Sequence, residues 1–312
     1  FNLDVVDLTL EKALDESEWA SGYKAEVWFG PDAAGLGSRF SGTGDVAIKQ
    51  AYVALRTPIG NGIDWKIGVF DTIIGYESSN AGDNPNYSRS WGYTIEPTQM
   101  TGILGSYRFC DVVSASFGVA NTWNATINGR DSGNVDASKT IMASVALTAP
   151  ESFGVFKGAS LSAGYTGGEA TPTANWRQEN YYVGLSLPTP ITGLAVGLAF
   201  DYTTGIGAKD ADAGALGAYL AVQATEKLKI NTRLDYGFGD NGQYYTAATD
   251  GDNELVSVTV TADYALWKNV ISRLEFRWDT ALTDDTPFGG TTPGLPQDKS
   301  ATSLTANFIY QF

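Results

Sequence analysis

Polar and apolar residues alternate with a period of two along most of this sequence. Between positions 227 and 235, one set of alternate residues is apolar apart from a threonine, and the other set is charged or carries an amide. The two sets are Leu228, Ile230, Thr232 and Leu234, and Lys229, Asn231, Arg233 and Asp235. This period is typical of a β-strand, and a face that is charged over several positions indicates contact with water.

The alternating segments predict fifteen strands that are joined by connections of two lengths. The strands are predicted at 1–13, 22–30, 46–57, 63–76, 99–109, 112–123, 140–149, 159–166, 178–188, 194–203, 215–224, 227–238, 254–267, 269–281 and 300–312. The short connections are 60–62, 110–111, 151–158, 188–193, 225–226 and 268–269, and the long ones are 31–45, 77–98, 124–139, 167–177, 204–214, 239–253 and 282–299. Their alternation is typical of an up-and-down barrel with one plain and one elaborated rim. No linker or helical stretch interrupts the pattern, so we expect a single barrel domain over residues 1–312.

Composition helps to decide between a membrane barrel and a soluble β-sandwich, whose strands also alternate. Only 18% of the residues are charged, against about 25% in an average soluble protein. The solvent face of a sandwich would carry more Lys and Glu than these polar faces do. Aromatic residues also collect near segment ends, as Trp123 and Trp267 do, which is typical of the girdles at membrane interfaces. The sequence therefore favours an all-β, transmembrane, antiparallel up-and-down β-barrel.

Several kinds of chemistry are excluded by residues that the chain lacks. There is no histidine, and the single cysteine is Cys110, so a Ser-His-Asp triad, a His-containing metal site and an internal disulfide are excluded. The net charge of −15 argues against nucleic-acid binding, which needs a basic surface. The acidic stretch 250–254 lacks the loop pattern of calcium sites, and no carboxylate pair is set apart as a hydrolase site. We expect no metal, no cofactor and no enzymatic activity.

The last residues form an amphipathic segment that ends in an aromatic residue. Leu304, Ala306, Phe308, Tyr310 and Phe312 share one face. This ending resembles the terminal signal of bacterial outer-membrane barrels, in which a final aromatic strand is read by the barrel-assembly machinery. The alternative is an amphipathic last strand without that role. We expect the assembly signal, carried by Phe308, Tyr310 and Phe312.

About the first quarter of the chain resembles a known family in the order and spacing of short motifs. The motifs are Phe1-Asn2-Leu3, Leu8-Thr9-Leu10-Glu11-Lys12, Phe29-Gly30-Pro31-Asp32-Ala33, Gln50-Ala51-Tyr52-Val53, Gly68-Val69-Phe70-Asp71-Thr72 and Gly75-Tyr76-Glu77. Together they resemble the β-barrel porin family type 2 of bacteria, and beyond them the resemblance is architectural. It implies an outer-membrane porin, a water-filled channel for the passive diffusion of small hydrophilic solutes and ions. The resemblance also implies a homotrimer. It implies no catalytic residues and does not identify the transported solute.

The strand count predicts that one strand is missing from the given sequence. Bacterial single-chain barrels have an even number of strands, short periplasmic turns and longer extracellular loops. Counted back from Phe312 at the periplasmic rim, the total of fifteen is odd, and the first strand runs inward. We therefore expect one more strand upstream of Phe1, or contributed from elsewhere, and sixteen strands in the intact barrel.

The candidate site is the set of side chains that would face a water-filled lumen. Its basic members are Lys24, Arg56, Lys66, Arg108, Lys229, Arg233, Arg273 and Arg277, and its acidic members are Asp235, Glu275 and Asp279. The longest connection, 77–98, carries Glu77, Asp83, Arg89 and Glu96. One hypothesis folds this connection into the pore as a constriction. The three carboxylates would then face Arg56, Arg108, Arg233, Arg273 and Arg277, and such opposed charges orient polar solutes. The alternative is a solvated surface loop beside a charge-balanced wall.

Small residues line the other part of the predicted lumen, among them Gly164 and Gly197. They suit either a wall against which an inserted loop packs or the wider part of the channel.

The expected partners follow from this interpretation. They are outer-membrane lipid and lipopolysaccharide, two further copies of the chain, the barrel-assembly machinery and small hydrophilic solutes. A second interpretation is a structural or adhesion barrel with a plugged lumen that displays acidic extracellular loops. Open conductance steps in a planar bilayer would favour the porin, and silence would favour the plugged barrel.

Overall fold

Fifteen antiparallel strands, each paired with its neighbours in the sequence, form one sheet in the order β1 to β15. The computed structural model describes residues 2–36, 44–123, 127, 139–169, 176–246, 251–289 and 298–312. Phe1, Asp250 and parts of the long connections predicted at 31–45, 124–139, 167–177, 239–253 and 282–299 lie outside the described residues.

The strands follow one another with short helices only in the connections. They are β1 (Val6–Lys12), β2 (Ser21–Phe29), β3 (Val46–Thr57), β4 (Ile63–Asp71), β5 (Gln99–Arg108), β6 (Val113–Ala120), β7 (Thr140–Thr148), β8 (Ser160–Glu169), β9 (Arg177–Pro188), β10 (Leu194–Thr204), β11 (Asp212–Gln223), β12 (Leu228–Gly239), β13 (Asn253–Trp267), β14 (Val270–Ala281) and β15 (Ser300–Tyr310). The helices are α1 (Pro31–Leu36) and α2 (Trp91–Ile95). A 3-10 turn occupies Ala81–Asp83, and two 3-10 turns joined across a kink at Gly154 occupy Glu151–Phe156.

The prediction of fifteen antiparallel strands in sequence order is confirmed, with two notable differences in their bounds. The first strand covers Val6–Lys12 and not 1–13, and the fourth ends at Asp71 and not at residue 76. Next to the last β4–β5 pair, the backbone amide of Thr72 donates to the carbonyl of Thr98 across 3.0 Å, and this bond closes the base of a long loop.

The expectation that no helical stretch interrupts the strands was wrong for the connections. Helices α1 and α2 have six and five residues, too few to display a helical period in the sequence. Pro31 begins α1, at the first helical position, where its missing N–H costs nothing. Within the described part of the chain, no helix has the length and apolarity that a membrane crossing requires.

The chain divides into two compact units, and the prediction of a single domain stays a prediction. Unit 1 contains Phe1–Ile74, Glu96–Thr148 and Ser162–Tyr181. Its buried apolar cluster is formed by Phe70, Met100, Leu104, Ala120 and Met142. The sequence analysis predicted basic and small residues on the lumen face of the strands. It did not predict this apolar cluster.

Unit 2 contains Gly75–Ile95, Ala149–Leu161 and Tyr182–Phe312, and in it the usual distribution of polarity is reversed. Arg233 is 0% exposed while Leu234 beside it is 50% exposed, and Arg273 is 4% exposed while Leu274 is 51% exposed. Charged residues are rarely buried and large apolar ones are rarely so exposed in soluble proteins. In unit 2, the polar face of the sheet is therefore covered and the apolar face is open.

Candidate functional site

A segment of the loop between β4 and β5 covers the polar face of unit 2. This segment, residues 75–95, is called the clamped loop because side chains of β12 to β14 hold it. It ends in α2, which lies against β10, β11 and β12. Gly92 brings α2 close to β10, since a Cβ atom there would lie 2.4 Å from the Oδ2 atom of Asp201.

Arg233 on β12 makes the central contact. Its Nη1 donates to Glu77 Oε1 at 2.9 Å, and its Nε donates to Asp235 Oδ2 at 2.7 Å. The same guanidinium donates to the backbone carbonyls of Ser88 at 2.6 Å and Arg89 at 3.0 Å. A guanidinium has five N–H donors in a fixed fork, and here they bind two carboxylates and two loop carbonyls. The buried charge is thus compensated, and the loop backbone is fixed to β12.

Glu77 accepts hydrogen bonds from two further groups besides Arg233. Its Oε1 atom also accepts from the hydroxyl of Tyr219 at 3.1 Å, and its Oε2 atom accepts from the backbone N–H of Ser90 at 2.8 Å. Hydrogen bonds to an ionised carboxylate are among the stronger ones in proteins. Glu77 therefore ties the beginning of the clamped loop both to the sheet and to the loop's own later part.

Two arginines of β14 hold the loop through its carbonyl groups. Arg273 donates to the carbonyls of Ala81 at 2.6 Å and Asn84 at 2.8 Å, while its Nε donates to Asp263 at 2.8 Å. Arg277 donates to the carbonyl of Arg89 at 2.7 Å. One of the two sequence hypotheses placed these arginines opposite loop carboxylates and the other placed them in a charge-balanced wall; the structure pairs Arg273 and Arg277 with wall carboxylates and loop carbonyls.

Arg277 also contacts α2 through an aromatic ring. Its guanidinium lies 4.9 Å from the ring centre of Trp91, and its Nε donates to Asp279 at 2.9 Å. The indole N–H of Trp91 donates to Ser257 Oγ at 2.6 Å. A cation over an aromatic face is attracted by the ring quadrupole, so this contact adds to the clamp.

Glu275 accepts hydrogen bonds from the backbone of the clamped loop. Its two oxygens accept from the backbone N–H groups of Tyr87 at 2.6 Å and Ser88 at 3.0 Å. The sequence interpretation treated Glu275 as a neutraliser of neighbouring arginines. Its contact with loop N–H groups could not be read from the sequence, because no local pattern specifies which loop residues lie opposite a strand.

An aromatic pair fills the space between the clamped loop and the small residues of β10 and β11. The rings of Tyr76 and Tyr219 stack with centroids 4.2 Å apart. A Cβ atom added to Gly197 would lie 1.9 Å from the Tyr76 hydroxyl. Gly197 is thus small because the loop packs on it, which matches the first of the two roles considered for the small residues.

Tyr244, in the connection between β12 and β13, supports α2 from the other side. Its ring meets that of Trp91 edge-on at 5.7 Å, and its hydroxyl donates to the carbonyl of Gly214 at 2.9 Å. Burial, with the nearby carboxylates of Asp201 and Asp235, raises the pKa of this phenol. The hydroxyl therefore stays a donor at every physiological pH.

Several of the predicted site residues belong to unit 1. In unit 1, Lys24 pairs with Glu26 at 3.1 Å, Arg56 with Asp64 at 2.8 Å and Arg108 with Asp111 at 2.7 Å. Lys66 lies 4.9 Å from the ring centre of Tyr52, and Glu96 also belongs to unit 1. Arg56 and Arg108 are thus engaged locally, beside short connections.

Within the loop, Arg89 donates to the carbonyls of Tyr87 and Ser79, both at 2.6 Å. Asp83 is exposed, while Lys229 and Asp279 are half-buried. Phe308, Tyr310 and Phe312 are exposed on one face of the chain's end. No cluster of metal-ligating side chains occurs among the described residues.

A sheet whose strands pair with their neighbours in the sequence, with an open apolar face and a covered polar face in unit 2, is typical of proteins that cross membranes with β-strands. The chain belongs to the family described as "Putative beta-barrel porin-2, OmpL-like", whose model matches residues 1–312. It is therefore a porin of the bacterial outer membrane, a channel for the passive diffusion of small hydrophilic solutes and ions. This confirms the family that the N-terminal motifs indicated.

Solved structures agree with this fold. The anion-selective porin from Comamonas acidovorans is 14% identical, with 99% of this chain and 89% of that chain covered and a TM-score of 0.66. The outer membrane channel DcaP of Acinetobacter baumannii is 12% identical, with 99% and 85% covered and a TM-score of 0.62. OmpT of Vibrio cholerae, solved in a trimer form, is 13% identical, with 97% and 94% covered and a TM-score of 0.52. Comparison with curated protein sequences gives no significant match.

Proposed function

We propose that the clamped loop is the constriction of the pore, and that its attachment to β12 and β14 sets the size of the opening. The observation that supports this most is Arg233, which is fully buried between Glu77, Asp235 and two loop carbonyls. A loop that merely rested on the surface would not bury a charged side chain, because burial of an unpaired charge is costly. The loop and the wall form one bonded structure.

The proposal assigns different roles to the predicted site residues. Arg233, Arg273, Arg277 and Glu275 position the loop, since their polar atoms are taken up by loop groups and wall carboxylates. The charges left to act on a passing solute are those not engaged in the clamp, such as Asp83 on the loop and Lys229 on the wall. Charges in a narrow, low-dielectric passage orient polar solutes and favour one ion sign.

Single-channel recording in planar bilayers tests this function. Replacing Arg233 by Met leaves Glu77 and Asp235 without their cation and removes two contacts to loop carbonyls, so the loop should loosen and the open conductance should rise or become noisy. Arg277→Met, which removes one carbonyl contact and the contact with Trp91, should act in the same direction more weakly and serves if the first variant does not fold. Arg108→Gln is the control, because the Arg108 side chain is exposed and, among the residues that the structure describes, forms an ion pair only with Asp111. Unchanged conductance in both test variants would refute the constriction.

We further propose that the short connections and the C-terminus face the periplasm and that the long connections are extracellular. Short periplasmic turns and longer outer loops are the rule in bacterial barrels. The exposed aromatic face of Phe308, Tyr310 and Phe312 would then be presented to the barrel-assembly machinery. A protease-cleavage site inserted after Asn241 should be cut on intact cells, and one inserted after Asn269 should be cut only after outer-membrane permeabilisation.

The outward apolar face would contact outer-membrane lipid, and the acidic outer loops would meet lipopolysaccharide. A homotrimer is supported by the family analogy and by the trimer form of OmpT. Chemical cross-linking of the detergent-extracted protein should give a band at three times the monomer mass. A monomer band alone at all cross-linker concentrations would contradict the trimer.

A further inference from the structure

The arginines of β12 and β14 do not give the polar face of unit 2 a net positive charge. Each forms an ion pair with a carboxylate of the same strand or of β13: Arg233 with Asp235 at 2.7 Å, Arg273 with Asp263 at 2.8 Å and Arg277 with Asp279 at 2.9 Å. The charges of these three pairs cancel at a distance. The sign of the electrostatic potential at this face therefore depends on the charged groups that remain.

Three of the remaining groups are buried carboxylates. Glu77 shares Arg233 with Asp235, and Glu275 is bound by backbone N–H groups, which carry no net charge. Asp201 is 4% exposed on the polar face of β10. Each of the three adds a negative charge that the ion pairs do not cancel.

The cations left on the same surfaces are fewer. Within the described residues of the clamped loop and of the polar face of β10 to β14, they are Arg89 and Lys229, and the loop tip adds one more carboxylate, Asp83. The polar face and the loop together therefore carry more negative than positive charge. In a low-dielectric passage, the summed field of all these charges acts on a passing ion.

The long connections of unit 2 have the same imbalance. Those after β10, β12 and β14 lie at one rim, because successive strands are antiparallel. Their described residues include two lysines and six aspartates, which are Lys209 and Lys299, and Asp210, Asp240, Asp252, Asp284, Asp285 and Asp298. Two lysines can cancel the charge of only two aspartates, so this rim is negative as well.

Unit 1 does not reverse the balance. Lys66 is outnumbered there by Asp7 and Glu11, which alternate with exposed apolar residues along β1 and so lie on its polar face. Four other basic residues of its strands are paired with carboxylates: Lys24 with Glu26, Lys49 with Asp71, Arg56 with Asp64 and Arg108 with Asp111. Neither unit, over its described residues, supplies a surplus of positive charge to these surfaces.

We propose that the pore favours small cationic solutes over anions of the same size. The excess carboxylates of the polar face and of the rim attract cations, and the arginines do not attract anions because wall carboxylates already neutralise them. The inference rests on the proposed function, since it needs an open channel. It goes further in naming the sign of the solutes that pass most easily.

The reversal potential across a KCl gradient in planar bilayers gives the permeability ratio of K⁺ to Cl⁻. With the unaltered protein, K⁺ should permeate several-fold faster than Cl⁻ at about 0.1 M salt, where the Debye length is about 10 Å. The ratio should fall toward one at about 1 M salt, where the Debye length is about 3 Å. This salt dependence is expected because the rim charges are exposed to solvent.

Two variants of the rim should change the ratio in opposite directions. The triple variant Asp210→Asn, Asp252→Asn and Asp284→Asn removes three exposed carboxylates and should lower the K⁺ to Cl⁻ ratio. Lys209→Gln, the matched control beside Asp210, removes an exposed positive charge and should raise it. Damage to the fold would not produce opposite changes.

The contrary outcomes separate the inference from the channel itself. Open steps with a ratio at or below one in the unaltered protein would overturn the cation preference and leave the channel intact. Equal ratios in the triple variant and in Lys209→Gln would also overturn it, because the rim charges would then not act on the ions. The absence of open steps would overturn the channel and the preference together.

Discussion

At the scale of single residues, the energetics centre on one buried arginine. Arg233 is enclosed by Glu77 and Asp235, and both carboxylates are themselves buried. A buried ion pair adds little net stability compared with an apolar pair of the same shape, but removing its cation leaves uncompensated charge. Removing Arg233 leaves two buried carboxylates uncompensated, whereas removing Glu77 leaves Arg233 paired with Asp235. Replacement of Arg233 should therefore cost less once Glu77 is already neutral.

A double-mutant cycle tests this coupling. Arg233→Met should lower the free energy of unfolding by about 3–5 kcal/mol, and Glu77→Gln should lower it by less, because Arg233 keeps its ion pair with Asp235. The double variant should lose less than the sum of the two, because contacting residues are energetically coupled. The measurement is urea unfolding in detergent micelles, followed by tryptophan fluorescence. Additive losses would mean that the ion pair does not exist in solution.

A second prediction at this scale concerns the apolar face. Leu234 is half exposed on the face opposite Arg233, and in a membrane barrel that face touches lipid. Leu234→Arg should lower the free energy of unfolding in bilayers by about 2–4 kcal/mol if the position lies near the midplane. Leu234→Ala, the matched control, introduces no charge and should cost much less. Equal costs would indicate that Leu234 faces water.

At the scale of elements, the alternation of residues predicted the strands, because the polarity of the residues on each face of a strand matches the environment that this face contacts. The strand from residue 227 to 238 was predicted within one residue of β12 (Leu228–Gly239). The fourth strand was predicted five residues too long, since Ile73 and Ile74 continue the apolar pattern beyond Asp71, where β4 ends, and are themselves packed or buried. Apolar periodicity indicates burial, so a buried loop segment can show the same sequence pattern as a strand.

The packing of the clamped loop on β10 gives a prediction for this element. Gly197→Ala should push the Tyr76 ring off Tyr219, since the added Cβ atom would lie 1.9 Å from the Tyr76 hydroxyl. We expect faster proteolysis of the loop and a changed single-channel conductance. Gly35→Ala in α1 is the control, because a Cβ atom there meets nothing within 4 Å. If the Gly197 variant behaves as the control does, the loop does not pack on β10 as described.

At the scale of the whole molecule, the sequence predicted the strands of the wall well. It predicted poorly the contacts of the loop that lies on the wall. Strand number, strand order and family followed from alternation, connection lengths and N-terminal motifs. The contacts that hold the clamped loop could not be predicted in this way. Arg273, for example, binds the backbone carbonyls of Ala81 and Asn84, which are far from it in sequence. A backbone carbonyl is the same in every residue, so no residue type marks it as a partner.

The central claim is that the clamped loop narrows a water-filled channel, and single-channel conductance of a loop-shortened protein tests it most directly. Residues 79–90 are replaced by a short Gly-Ser linker, and the variant is compared with the unaltered protein in the same planar bilayer. The account predicts open steps from both proteins, with larger steps from the variant. Steps of equal size, or silence from the unaltered protein, would contradict it.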